Sequence, residues 1–287
     1  MIVTRTALGY LLGLVGVLIF SGTLPATRLA VETLAPWFVT FGRAAIAGGC
    51  AGVLLLILRR PVPGRAVLGK LVLIGVMVTV GFPGFMGLAM ARVPASHGGV
   101  VLGIMPLLTA LLSALWHGER PSRRFWLLAL LGAGLVVGFS LRTGGGHLQA
   151  GDLFLFIAAM SAAVGYVLSA QLTRSMPGWE VISWVCLVML PVTVPLSLLW
   201  WPADLAAVTS TGWVALAYLA LFSQFIGFFA WNAGLAMGGV AGVSQIQLLQ
   251  TFFTIAIAAL INAEAIGWDT MGVAVLIVGV LYLGRRG

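Results

Sequence analysis

The sequence predicts an all-α integral membrane protein whose ten transmembrane helices form two inverted five-helix repeats. Three observations predict it. Hydrophobic residues make up 61% of the chain and charged residues 8%, at a mean hydropathy of +1.13, whereas roughly a quarter of the residues in a soluble domain carry charge. Ten long apolar runs can be counted, each near the ~20 residues that a helix needs to cross hydrocarbon. A stretch in the first half of the chain returns in the second.

The runs lie at approximately 8–30, 33–58, 68–91, 95–117, 122–141, 151–173, 180–201, 211–236, 240–262 and 267–284, with ends uncertain by ~2–4 residues. The first follows Arg5 and resembles a secretory leader with cleavage near Ala26. It continues beyond leader length, however, and nine more spans would leave no exported domain for a leader to serve. The second span carries Arg43, its one basic residue. The third contains Pro83–Gly84 flanked by Phe82, Phe85 and Met86, and the fourth contains Pro106. The fifth is bounded by Gly118–Ser122, and the sixth holds Ser161, Tyr166 and Ser169. The seventh is almost wholly apolar, the eighth and ninth hold amides and hydroxyls, and the tenth closes the chain before Arg285 and Arg286. Almost nothing remains for a soluble domain.

Charge gives the orientation. The net charge of +8 does not point to nucleic acid, because the basic residues sit in loops and never interleave with aromatics along a stripe. With a cytoplasmic N-terminus, the inside segments hold Arg5, Arg59, Arg60, Arg65, Lys70, Arg120, Arg123, Arg124, Arg174, Arg285 and Arg286, against Arg28, Arg92 and Arg142 outside. That asymmetry follows the positive-inside rule and predicts that both termini are cytoplasmic. Glu32, Asp152, Asp204, Glu264 and Asp269 all fall outside. Cys50 and Cys186 lie within apolar spans, where a thiol behaves as a small hydrophobe, and they say nothing about redox compartment.

The repeat aligns VGFPGFMGLAM (80–90) with IGFFAWNAGLAM (226–237), with one residue of slack. Each copy is followed by a short loop and a long apolar span ending in a glutamate, Glu119 or Glu264, and then by a last span with Gly134 set against Gly279. The repeats therefore divide the chain into 1–145 and 146–287. Five spans per repeat is an odd number, so the second copy enters the membrane from the other side. Inverted repeats of this kind are the usual architecture of secondary transporters, with the substrate site near the midplane where the halves meet.

The five-plus-five arrangement, the Pro-containing fourth span ending in GERPS (118–122) and the fifth span WLLALLGAGLVVG (126–138) resemble the drug/metabolite transporter superfamily and, within it, the EamA family over the whole chain. The resemblance implies a bacterial inner-membrane exporter with a central cavity lined mainly by helices one, three, four, six, eight and nine, and it extends to the aromatic amino acid exporters of that family. The second copy departs from the pattern. NAEAIGW (262–268) lacks a glycine before Glu264, and Thr251 stands opposite Pro106, which argues against a symmetric site.

In SQIQLLQTFFT (244–254), α-helical spacing puts Ser244, Gln247, Thr251 and Thr254 on one stripe with Gln250 beside it, while Gln245 faces away. An unpartnered amide in hydrocarbon costs ~2–7 kcal/mol, so the stripe must face other helices or water. Gln245 reads as interhelical glue. The stacked group reads as a cavity face, because several polar groups on one stripe exceed what one interface needs. The matching positions of the first half are Gly99, Leu102, Met105, Pro106 and Thr109, a candidate hydrophobic wall. Gln224, Phe228, Trp231 and Leu235 form a second stripe, with Asn232 next to Trp231. Trp231 suits an interfacial belt as well as a cavity, and Gln224 and Asn232 tilt the stripe towards the cavity. Pro25, Pro83 and Pro106 interrupt helices expected to line the cavity and serve either as hinges or as static bends.

Arg43 is the one strong intramembrane charge, a functional candidate by default. The resemblance places an arginine here in members with unrelated substrates, which implies a structural anchor bonded to helix-end carbonyls. The cavity is otherwise expected to be uncharged. No carboxylate lies deep in a span, His97 and His117 sit near helix ends and His147 lies in a loop, so a facilitator or exchanger is easier to support than a proton antiporter. Gln247, Gln250, Thr251 and Ser244 suit the polar end of a flat amphiphilic zwitterion. Phe82, Met86, Met105, Phe228 and Trp231 suit its apolar end, and Tyr166 adds a polar contact. Aromatic and hydrophobic amino acids are the expected substrates, with hydrophobic cations or other metabolites as the alternative. No catalytic constellation or metal-ligand cluster appears within the spans, so neither an enzyme nor a cofactor or metal is expected. A non-transporting accessory protein would be expected to carry a soluble domain or long tail. The expected partners are the lipid bilayer and a small-molecule substrate, with no nucleic acid, and the expected state is a monomer.

Overall fold

The structure, a computed structural model, describes residues 5–116, 123–173, 175–238 and 243–284. Glu119 and the GERPS stretch, with His117, Arg120, Arg174, Arg285 and Arg286, lie outside the described residues. Among those described, every regular element is helical.

The breaks in the helices follow from local chemistry. Helix α1 (Arg5–Val31) is interrupted at Gly22, where the side chain of Tyr218 lies against the glycine and its hydroxyl donates to the Ile19 carbonyl. Helix α2 (Pro36–Ile57) opens on Pro36, whose missing N–H would be unpaired at a helix start anyway. Helix α3 (Arg65–Met90) widens into π-helical turns over Val76–Gly81 and resumes at Phe82. Pro83 cannot donate to the residue 79 carbonyl and its ring crowds it, so the turn before the proline loosens. Helix α4 (Ala95–Trp116) is interrupted between Leu102 and Met105, just before Pro106. Helices α5 (Arg123–Thr143) and α6 (Ala150–Leu172) are continuous, and α6 starts with a capping box between Gln149 and Asp152.

Helix α7 consists of Gly178–Val188 and Leu190–Leu199, bent by 51° around Met189. This bend was not expected from the sequence, although Pro191 denies the Leu187 carbonyl a partner and weakens the helix there. Helix α8 (Ser210–Gly238) has π-helical turns over Leu219–Ile226. Helix α9 begins as a 3₁₀ segment, Ser244–Leu249, and continues as Gln250–Ile261, and α10 is Trp268–Gly284.

Seven of these helices (α1 to α6 and α8) are long and apolar enough to cross a membrane, and the bent α7 raises the number to eight. Ten spans were expected from the sequence. The difference lies in α9 and α10, whose apolar stretches Ile246–Ile261 and Trp268–Val280 are shorter than the others.

Small residues let the helices approach closely. Gly9, Gly13 and Gly16 of α1 meet Gly234, Gly238 and Trp231 of α8 so tightly that a methyl group on Gly234 would fall 2.6 Å from the Gly13 amide nitrogen. Gly48 lies against the Cys186 carbonyl and Leu190, and Gly52 against Leu187, so both glycines are used inside the chain against α7. Gly99 and Gly103 are likewise spent on α9 and α10, against Thr254 and Ile277. Outward-facing leucines such as Leu127 and Leu130 are 68% exposed, as expected for a surface solvated by lipid tails.

Polar links tie loops to helix ends. The Glu264 carboxylate, just beyond α9, accepts from the Ala95 and Ser96 amides at 2.7 and 2.9 Å, satisfying orphan donors at the start of α4 where the helix dipole favours negative charge. His97 Nε2 lies 2.7 Å from Asp152 Oδ1, and Thr143 Oγ1 lies 3.3 Å from His97 Nδ1, joining α4, α5 and α6. Towards the other end of the bundle Arg60 stacks over Trp179 at 5.1 Å and approaches Glu180 at 3.7 Å.

Candidate functional site

A cavity opens among the helices, with about 910 Å³ of empty space including solvent at its mouth. Helix α3 supplies Phe82 and Met86 directly after its π turns, and α8 supplies Ser223 and Gln224 from its π turns and Phe228 just after them. Phe82 and Phe228 each follow a glycine at equivalent places in the repeated stretch, Gly81–Phe82 and Gly227–Phe228. A π turn rotates the following residues relative to a regular helix, and such turns are common at functional sites. Here they deliver the two phenylalanines to one cavity from opposite halves of the chain.

Helix α9 supplies the amide face. The 3₁₀ geometry of Ser244–Leu249 has 3.0 residues per turn, so residues three apart eclipse one another. Gln247 and Gln250 therefore line the cavity together, where strict α-helical spacing had put Gln250 to one side. Thr251 and Thr254 extend the face, and Thr254 Oγ1 donates to the Ser21 carbonyl at 3.1 Å. Packed directly beside them, α4 contributes Gly99, Leu102, Gly103 and Met105 around its interruption. Tyr166 reaches in from α6, and Phe20, Thr23 and Leu24 from α1.

Of the residues singled out from the sequence, Gln224, Phe228, Gln247, Gln250, Thr251, Phe82, Met86, Met105 and Tyr166 lie around this one cavity. Trp231 and Asn232 do not. Trp231 sits against Gly16 of α1, and Asn232 against Gly178 at the start of α7, because α8 turns that face towards its neighbours. The side chains of Ser244, Gln245 and Pro106 lie outside the described residues. Pro25 is buried within the second piece of α1. Pro83 follows the α3 π turns, and Pro106 follows the interruption of α4.

Arg43 departs from its expected surroundings. It is 2% exposed and lines the cavity. Its Nη2 donates to Ser223 Oγ at 3.1 Å, and Ser223 Oγ lies 2.8 Å from Thr23 Oγ1. Nε and Nη1 have no hydrogen-bond partner among the described residues, and the Gln224 side-chain amide nitrogen has no oxygen or nitrogen partner either, only the weakly accepting sulfur of Cys186 nearby. The helix-end carbonyls expected around the guanidinium are not its partners, since Arg43 lies near the middle of α2 rather than at an end. Its guanidinium is the one charged group that lines the cavity among the described residues. The hydroxyls of Thr23 and Ser223 were missed in the sequence because small hydroxyl residues in a membrane span read first as packing contacts. Thr23 and Thr27 at helical spacing, and Ser223 preceding Gln224, were the available signals.

The model of the EamA-like transporter family matches residues 7–141 and again 149–285. The protein named uncharacterized transporter YdeK, from Bacillus subtilis (strain 168), is 42% identical over 98% of both chains. The aromatic amino acid exporter YddG of Ancylobacter novellus is 28% identical over 245 residues, 80% of either chain. A solved crystal structure superposes with a TM-score of 0.66 over 98% of this chain and 99% of its own, at 22% identity, a likeness of fold.

Proposed function

The chain belongs to the EamA-like transporter family, and from that premise we propose that it exports small amphiphilic metabolites, above all aromatic and hydrophobic amino acids, by alternating access about the central cavity. The ten segments α1 to α10 are its spans, paired as two inverted five-helix repeats in the bacterial inner membrane with both termini in the cytoplasm. The double match of the family model and the π turns at equivalent places in α3 and α8 support the repeat.

The observation that carries the substrate class is the two-faced lining of the cavity. The amides of Gln224, Gln247 and Gln250 and the Thr251 hydroxyl stand against Phe82, Met86, Met105 and Phe228. Such a lining matches a solute with hydrogen-bonding groups at one end and a flat apolar side chain at the other. Methionines adapt to side chains of different shape. The similarity to an aromatic amino acid exporter points the same way. The breaks of α3 and α4, and of α8 and α9, border the cavity and support a cycle in which these segments are the ones that move.

Uptake of labelled phenylalanine, tryptophan and alanine into proteoliposomes tests this reading. Flux of the aromatic amino acids is expected without a pH gradient and is expected to fall in Gln250→Ala and Phe228→Ala while Trp231→Ala retains it. Absence of amino acid flux under all conditions would remove the substrate assignment.

A further inference from the structure

Arg43 is a cation held in an apolar bundle without a counter-ion among the described residues. Asp152 is bonded to His97, Glu264 caps α4, Glu180 lies by Arg60, Asp269 lies by Arg142, and Glu32 and Asp204 are exposed. A guanidinium carries five N–H donors, and a buried donor or charge left unpaired is costly. One donor of this guanidinium reaches Ser223, while Nε and Nη1 remain unpaired in the cavity wall. The Gln224 amide nitrogen, on a side chain 1% exposed in the same wall, has only the weakly accepting Cys186 sulfur nearby. Arg43 Nη2 keeps a second N–H beside the one given to Ser223, and with the neighbouring Nε or Nη1 donor it forms the planar fork that complements a carboxylate.

We propose that Arg43 is the anchor for the substrate's carboxylate, with the Gln224 amide as an additional donor. The inference rests on the cavity being the substrate site and narrows the substrate class to solutes bearing a carboxylate, excluding simple hydrophobic cations. The Thr23–Ser223–Arg43 chain holds the guanidinium in place through one N–H of Nη2 and leaves the fork made with its other N–H free. A carboxylate seated there directs the rest of the solute towards the apolar and amide faces of the cavity.

Calorimetric titration of the purified full-length protein in detergent separates the possibilities, using phenylalanine, phenylalaninamide, phenethylamine and 3-phenylpropionate in chloride and in gluconate buffer. Phenylalanine and 3-phenylpropionate are expected to bind, with phenylalaninamide and phenethylamine about tenfold to a hundredfold weaker. Arg43→Gln should lower phenylalanine to the level of the amide and leave the amide unchanged, and Arg43→Lys should fall between the two. If the glutamine variant does not fold, the ligand series on the unmodified protein decides alone.

Equal binding of all four compounds overturns the carboxylate anchor while leaving the cavity as the amino acid site. Amide binding equal to acid binding, with both weakened in gluconate, assigns Arg43 to a resident chloride and also overturns it. Binding of 3-phenylpropionate without phenylalanine keeps the anchor and removes the amino acid assignment. No binding by any compound overturns both.

Discussion

At the scale of single residues, the polar groups divide by whether neighbours complete them. The Glu264 carboxylate accepts two backbone N–H donors across 169 and 168 residues of chain, so its role is to hold the start of α4 against the end of α9. Replacing it with alanine exposes two orphan donors of a helix start, and a cost of ~1–2 kcal/mol is expected. A lower melting temperature for Glu264→Ala in detergent, with phenylalanine affinity retained, is the check. An unchanged melting temperature would show that water replaces the cap without cost. Gln247 and Gln250 were legible in the sequence because an amide in an apolar span needs an explanation wherever it points. Trp231 was not, because an aromatic ring suits a cavity, a belt and a helix seam equally well, and the glycine on the facing helix decides between them.

At the scale of elements, the glycines sort into those that are filled by a neighbour and those that face open space. A methyl group on Gly234 of α8 would stand 2.6 Å from the Gly13 amide nitrogen and 2.8 Å from the Gly9 carbonyl oxygen, both backbone atoms that cannot turn aside. Gly138 of α5 has nothing within 4 Å. Gly234→Ala should therefore force α1 and α8 apart and destabilise by ~1–3 kcal/mol, whereas Gly138→Ala should be neutral or stabilise by ~0.5–1 kcal/mol through helix propensity. Thermal unfolding of the two variants side by side gives the comparison, and equal effects would mean that the α1–α8 seam can relax. The sequence alone shows both glycines in apolar spans. It does not show which face of a helix meets another helix, since hydrophobicity is required on lipid-facing and packed faces alike.

At the scale of the whole molecule, charge asymmetry and inverted repeats make one prediction about sidedness. In a variant without Cys50 and Cys186, a cysteine at Ala206 in the exposed loop after α7 should react with a membrane-impermeant thiol reagent in intact cells. A cysteine at Val62, in the exposed loop after α2, should react only after permeabilisation. The reverse pattern would invert the topology and make the proposed exporter face the wrong way. Family, helical class and the polar stripe of α9 were determined by the sequence itself, because hydrocarbon thickness fixes span length and penalises every unpaired polar group. The tertiary structure alone decided which of those groups meet. The π turns of α3 and α8 and the 3₁₀ start of α9 re-aim their side chains by fractions of a turn, and Arg43 stands against Ser223 across 180 residues. Such rotations and long-range encounters are set by packing between helices, which leaves no fixed spacing in the chain to be read.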